Sequence, residues 1–181
     1  MQECEQTEGM SVLEHGEMVH EFYKDLEAHI LKSKPLKHDW RLPAWIYEPA
    51  LWDARLSDNT VQMYQIFHDC GKVVCREVDQ DGKAHFPNHA QASARTWLEV
   101  GGCAIEARLM GMDMDIHLLK AEGLPEFCAR PESATLLLTG LCEIHANASM
   151  FGGIESNSFK MKWKNIDRRG KQIAAHLAQL H

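Results

Sequence analysis

Apolar residues along this chain recur mostly at three- and four-residue steps, the spacing of one helix face. Ser11-Val12-Leu13-Glu14 has the form of a capping box. From there Val12, His15, Val19, Phe22, Leu26 and Ile30 mark a helix of about twenty residues that stops before Pro35. Residues 33–57 carry Pro35, Pro43, Pro49, Trp40, Trp45 and Trp52, which predicts a wrapped loop with one short helix. These tryptophans either pack down or line a pocket, where they could stack on a nucleobase. Asp58 or Asn59 caps a second helix through Val61, Tyr64, Phe67 and His68. Val73-Val74-Cys75 then runs into Asp79-Gln80-Asp81-Gly82, a turn signal that closes a small hairpin or loop.

Pro87-Asn88 precedes a helix through Trp97 and Leu98, and Gly101-Gly102 breaks the pattern. A further helix carries Ile105, Leu109, Met112, Ile116 and Leu119. Pro131 opens another, through Leu136, Leu137, Leu138, Leu141 and Ile144, which stops at Gly152-Gly153. Phe159, Met161 and Trp163 alternate with Lys160, Lys162 and Lys164, a period of two that predicts a short strand. A last helix follows Gly170. The pattern as a whole predicts an all-α protein, a compact helical bundle with a short strand or hairpin near the C-terminus.

The chain has 181 residues, within the roughly 100–200 typical of one domain. Residues 1–10 are expected to be a flexible acidic N-terminus and residues 11–181 a single domain. At 45% apolar and 25% charged residues, the composition excludes wholesale disorder. No run reaches the roughly 18 apolar residues of a membrane span, so no membrane partner is expected. The opening MQECEQTEG has neither the positive start nor the apolar stretch of a secretory signal. Cys4, Cys70, Cys75, Cys103, Cys128 and Cys142 form no CxxC pair, and reduced thiols in a cytoplasmic protein are the expectation. The net charge of −7 disfavours non-specific wrapping of nucleic acid and leaves room for a local basic site.

Eleven histidines are the unusual feature of the composition, and their positions carry chemistry. His15 falls on the apolar face of the first helix, where a buried imidazole needs a hydrogen-bond partner or a metal. His68-Asp69 ends the second helix. Adjacent helical side chains diverge by about 100°, so the two cannot both face the core, although both can reach a metal lodged in a cleft. His85 and His89 flank the start of the third helix, and Asp113, Asp115 and His117 crowd the fourth, with Asp113 and His117 on one face at i, i+4. Each has an ordinary reading as a core histidine, loop residue or solvated acid. Their recurrence on several helices favours a shared site. Imidazole and carboxylate donors suit manganese, iron, cobalt, nickel or zinc, with magnesium a further candidate, as one or two ions.

Three stretches carry a family resemblance over about residues 12–150. His15-Gly16-Glu17-Met18-Val19, Phe67-His68-Asp69-Cys70-Gly71-Lys72 and Phe86-Pro87-Asn88-His89-Ala90 with Ser93 resemble the HD superfamily of metal-dependent phosphohydrolases, the second matching its HDxGK form. The resemblance implies an all-α fold with the site between helices. It makes His15, His68 and Asp69 metal ligands, extends the site to a second ion at His89, and turns Lys72 toward the substrate phosphate. Asp113, with His117 as a secondary ligand, is favoured to close the site; Asp115 and Asn147 are rivals. Residues 33–57 form an insertion relative to the family. HD proteins often assemble into homo-oligomers.

The activity so implied is hydrolysis of a phosphate ester of a nucleotide or of a nucleic-acid end, with Lys72 and Asp69 in catalytic roles. The layout is similar to HD phosphatase modules fused to polynucleotide kinases. The alternatives are a deoxynucleoside triphosphate triphosphohydrolase of the small phage type and a nucleotide-sensing binding module. Ser158–Lys171 adds Lys160, Lys162, Lys164, Arg168 and Arg169 as candidate substrate-binding cations. The predicted strand would aim its lysines together outward; edge protection is their ordinary reading.

Overall fold

In the computed structural model, residues 1–7 and 9–180 are described, Phe151 by its backbone alone. The protein is mainly helical and divides into two compact units. Among the described residues no helix is long and apolar enough to cross a membrane.

The first unit comprises Met1–Met18 and Asp58–Met114. Strand β1 (Glu5–Thr7) pairs antiparallel with β2 (Met10–Ser11). Helix α1 (Val12–Lys32) starts where the capping box predicts: Ser11 N–H donates to Glu14 Oε2 at 2.8 Å and Glu14 N–H to Ser11 Oγ at 3.2 Å. Helix α3 (Asp58–Phe67) is followed by a turn over residues 68–71, then by the single-turn α4 (Lys72–Cys75). Strands β3 (Glu77–Val78) and β4 (Ala84–His85) form a hairpin whose turn closes on Asp79, which accepts from the backbone N–H groups of Asp81 and Lys83. Helices α5 (His89–Glu99) and α6 (Ala104–Gly111) pack on each other, α3 on α6, and α4 on α5. Trp97 locks α5 to α6: its indole N–H donates to buried Glu106, and Gly102 makes room for its ring.

The second unit comprises Val19–Ser57 and Asp115–His181. It holds the short α2 (Pro49–Asp53), α7 (Asp115–Leu118) and α8 (Leu124–Cys128), the central α9 (Ser133–Ala146), and α10 (Asn157–Ala178). Helix α9 is buried along almost its whole length, as an apolar run without a polar face should be. The loop after α1 is pinned by side-chain hydrogen bonds as well as packed. Asp25 accepts from the backbone N–H of Lys37 and His38 and from the Trp40 indole. Trp45 donates to Asp167 and Trp52 to the Ile46 carbonyl, both rings buried. The three tryptophans therefore serve packing. Gly170 lies mid-helix because a Cβ there would sit 2.3 Å from the Trp45 ring.

Two sequence expectations are corrected. The strand predicted over residues 159–164 is the first turns of α10, capped by Ser156, whose hydroxyl accepts from Phe159 N–H. Phe159, Ile166, Ile173 and Leu177 supply a helical stripe of buried residues, and Met161 of the apparent alternation is 67% exposed. The short strands lie instead at residues 5–11 and 77–85. The helix predicted from Ile105 to Leu119 is also interrupted. Met112 N–H bonds back to the Arg108 and Leu109 carbonyls and Asp113 N–H to Met110, closing α6 in a tight turn before α7 begins.

His145 of α9 gives the second unit an acid-sensitive joint. Its Nδ1–H donates to the Leu141 carbonyl at 2.8 Å, and its Nε2 accepts from Arg41 N–H at 3.1 Å, an arrangement that only the neutral ring can make. Burial pushes the imidazole down to about 4, against the opposing pull of the Leu141 carbonyl. The unfolded chain, with an ordinary histidine near 6.5, binds the proton first. Stability is thus full above about pH 6.5 and lost as pH falls toward about 4, by on the order of 3 kcal/mol at about 1.4 kcal/mol per unit. Urea unfolding across that range should show the loss, and His145→Gln should flatten it.

Candidate metal centre

The candidate centre belongs to the first unit and is assembled where three segments approach with no side chain between them. A Cβ on Gly16 would lie 2.0 Å from the Ile66 carbonyl oxygen, so only glycine lets the first turns of α1 meet the end of α3. A Cβ on Gly71 would lie 2.2 Å from Ser93 N, so the turn after α3 likewise touches α5. Gly71 N–H donates to Ser93 Oγ at 2.9 Å, and Cys70 Sγ–H to the Ser93 carbonyl. These contacts bring His15, His68 and Asp69 together, all essentially excluded from solvent. His68 and Asp69 both point inward because they sit in the turn beyond α3, not on the helix as expected.

Asp69 is the hub. Its Oδ2 lies 3.2 Å from His68 Nε2, 3.7 Å from His15 Nε2 and 2.6 Å from the Lys72 ammonium. Its Oδ1, which accepts no hydrogen bond, lies 3.8 Å from His89 Nε2. Burial alone would raise this carboxyl; the charge and hydrogen bond of His68, then Lys72 and His15, outweigh it and hold the group well below the usual carboxylate range. Lys72 also reaches Gln6 Oε1 at 2.9 Å and lies over the Phe86 ring.

The imidazoles are oriented by backbone carbonyls. His68 Nδ1–H donates to Gln65 O at 2.8 Å and His89 Nδ1–H to Phe86 O at 3.2 Å, so in the neutral rings the lone pairs are on Nε2, facing Asp69. An imidazole lone pair aimed at a carboxylate oxygen repels it unless a proton or a metal ion lies between. Two ligands each about 2.1 Å from one ion are at most about 4.2 Å apart, a limit that the spacings around Asp69 meet. Donor atoms of His15, His68 and Asp69 all lie within 4.8 Å of one another. The donor set of His15, His68 and Asp69 could hold a metal ion on the Oδ2 side.

The remaining site residues fall out differently. Asp113 is buried in the turn after α6, accepts from Tyr64 O–H at 2.5 Å, and has an oxygen within 4.8 Å of a His68 nitrogen; it does not share a helix face with His117. His117, Asp115 and Asn147 belong to the second unit, where His117 lies 3.0 Å from Glu143 and Asp115 pairs with Arg130. His85 is exposed and bonded to Asp79. Of the basic segment, Arg169 is buried, its guanidinium donating to the Leu119 carbonyl and to Gln172 Oε1. Lys160 pairs with Glu155. Tyr64, Gln6 and the Gln65 carbonyl are contributors that sequence reasoning missed; only Ser93 was flagged, by its place after His89. A groove of 1040 Å³ in the same unit, lined by Cys4, Leu13, Phe67, Val73 and Arg76 among others, includes none of the clustered side chains.

The chain matches no family model, no curated protein and no solved structure.

The glycine contacts are checked by substitution. Gly16→Ala should cost about 3 kcal/mol, the upper end for an overpacked contact, and lower the metal content measured by elemental analysis. Gly111→Ala, where a Cβ meets only ordinary van der Waals contact at 3.5 Å, should be neutral or slightly stabilising.

Proposed function

We propose that this protein is a metal-dependent phosphohydrolase of the HD type, cleaving a phosphate ester of a nucleotide or of a nucleic-acid end. The observation that carries the reading is the convergence of three imidazole Nε2 atoms and one ammonium on a single buried carboxylate, Asp69. Such a group of charges and lone pairs adds little to stability by itself, because buried ionic clusters rarely repay their desolvation. It is well suited to hold a divalent ion and an anionic substrate.

In this reading His15, His68 and Asp69 hold the ion, and Asp69 stays ionised without a proton to displace. When bound, a divalent metal brings a water toward hydroxide at neutral pH and polarises a phosphoryl oxygen. The His68 and His89 rings are kept in the ligating tautomer by the Gln65 and Phe86 carbonyls. Asp113, held by Tyr64, is the favoured residue to close the site. Lys72 neutralises charge that develops on the non-bridging oxygens, and the 2.6 Å contact with Asp69 keeps its ammonium beside the place where the phosphoryl group would sit. Six free cysteines accord with a cytoplasmic setting.

The test is a metal-by-substrate screen. Chelator-stripped protein reloaded with manganese, iron, cobalt, nickel, zinc or magnesium is offered dNTPs, nucleoside monophosphates, 2′,3′-cyclic nucleotides and 3′-phosphorylated oligonucleotides. At least one pairing should turn over, and the products separate a terminal-phosphate hydrolase from a triphosphohydrolase. His68→Ala and Asp69→Ala should abolish turnover and metal retention with helical circular dichroism intact. Lys72→Ala should keep the metal and lose about 10²–10³ in kcat, as removal of a transition-state donor does. Metal retention without turnover of any substrate would overturn the enzyme reading, and activity in either His68→Ala or Asp69→Ala would overturn the site.

A further inference from the structure

Helix α10 carries positive charge that the fold leaves almost unused. Its span, Asn157–Ala178, includes six lysines and arginines against one acid, Asp167, and that acid is engaged by the Trp45 indole N–H. The helix sorts these cations in a way that the predicted strand would not. At about 100° per residue, Lys160, Lys164, Arg168 and Lys171 fall within about 80° of its circumference, and they extend along about 16 Å of its axis. The buried residues Phe159, Ile166, Ile173 and Leu177 occupy the far side. Lys162 lies at least about 120° from every member of the stripe. Lys164, Arg168 and Lys171 are exposed and Lys160 half-exposed. Among the described residues, the stripe's ion pair is Lys160 with Glu155, at the surface, where such pairs are weak and yield to competing anions.

We propose that this stripe docks the phosphate backbone of a nucleic acid. Four cations in a row about 5–6 Å apart are matched by a line of phosphates, and concentrating them in a chain of net charge −7 sets up a local field against the overall one. An anionic membrane is the poorer match. A helix lying on lipid needs an apolar face to insert, and that face of α10 is spent in the core, leaving Met161 as the large apolar side chain it exposes. Contacts of this kind to backbone phosphates position a nucleic acid and carry no sequence information. The proposal stands on α10 alone and does not depend on the metal centre.

Fluorescence anisotropy with the full chain and a labelled single strand of about 20 nucleotides tests it, because four neutralised phosphates set a slope of log K against log salt near −2.8, about a 50-fold weakening from 50 to 200 mM. The combined variant Lys160→Gln, Lys164→Gln, Arg168→Gln and Lys171→Gln should lose most of the affinity at 50 mM and most of the slope. Lys164→Gln alone should flatten the slope by about 0.7, which keeps the test open should the combined variant fold poorly. Lys162→Gln, on the other side of the helix, should bind like the parent. No binding by the parent at 50 mM, equal loss in Lys162→Gln, an unchanged slope in Lys164→Gln, or tighter binding to phosphatidylglycerol vesicles than to the strand would overturn the proposal.

Discussion

The first unit depends on the burial of Asp69. A carboxylate essentially removed from water costs several kcal/mol unless its surroundings carry compensating charge or hydrogen bonds. Here the surroundings are three imidazoles and an ammonium, supplied by α1, the turn after α3, α4 and the start of α5. Each of those segments must come within a few ångströms of the others, and side chains larger than hydrogen at positions 16 and 71 would hold them apart. The two glycines, the Ser93 hydroxyl that receives Gly71, and the carbonyls of Gln65 and Phe86 are thus part of the same arrangement: they set the distances and tautomers on which any chemistry at Asp69 rests.

The second unit solves a different problem. Its central helix α9 is so thoroughly apolar that it needs cover on every side, and α10, α7 and the Pro- and Trp-rich loop provide it. A loop rich in proline has few backbone donors to spend on regular structure, so side chains take up the pairing. Asp25 gathers the Lys37, His38 and Trp40 donors, His145 takes Arg41, and Trp163 donates to the Arg41 carbonyl. Each of these polar atoms is met by a partner, and the tryptophan N–H groups brace the loop.

Charge is divided along the same lines. In the first unit one ammonium is drawn inward onto a carboxylate; on α10 most cations are turned outward to solvent. Arg169 shows how fine the sorting is: one residue from Arg168, it points into the fold and bonds a carbonyl, whereas Arg168 lies in the exposed row. A shift of about 100° on a helix separates structural from available charge.

The sequence by itself determined the helical class, the start of α1 through the Ser11–Glu14 box, and the grouping of His15, His68, Asp69, Lys72 and His89, because periodicity, capping and short motifs are local properties of the chain. Tertiary structure decided the rest. The alternation over residues 159–164 satisfied a strand period locally, yet only the cover required by α9 and by Trp45 made it the start of a long helix. The turn that ends α6 at Gly111 leaves Asp113 outside the helix that carries His117, although i, i+4 spacing predicts one helix for both. His68 and Asp69 could both face inward only because the chain leaves the helix at Phe67, and Tyr64 and Gln6 entered the site through contacts across 49 and 66 residues of sequence. Spacing reports which side chains share a face; which faces meet is settled by close approach between distant segments, and no local pattern records it.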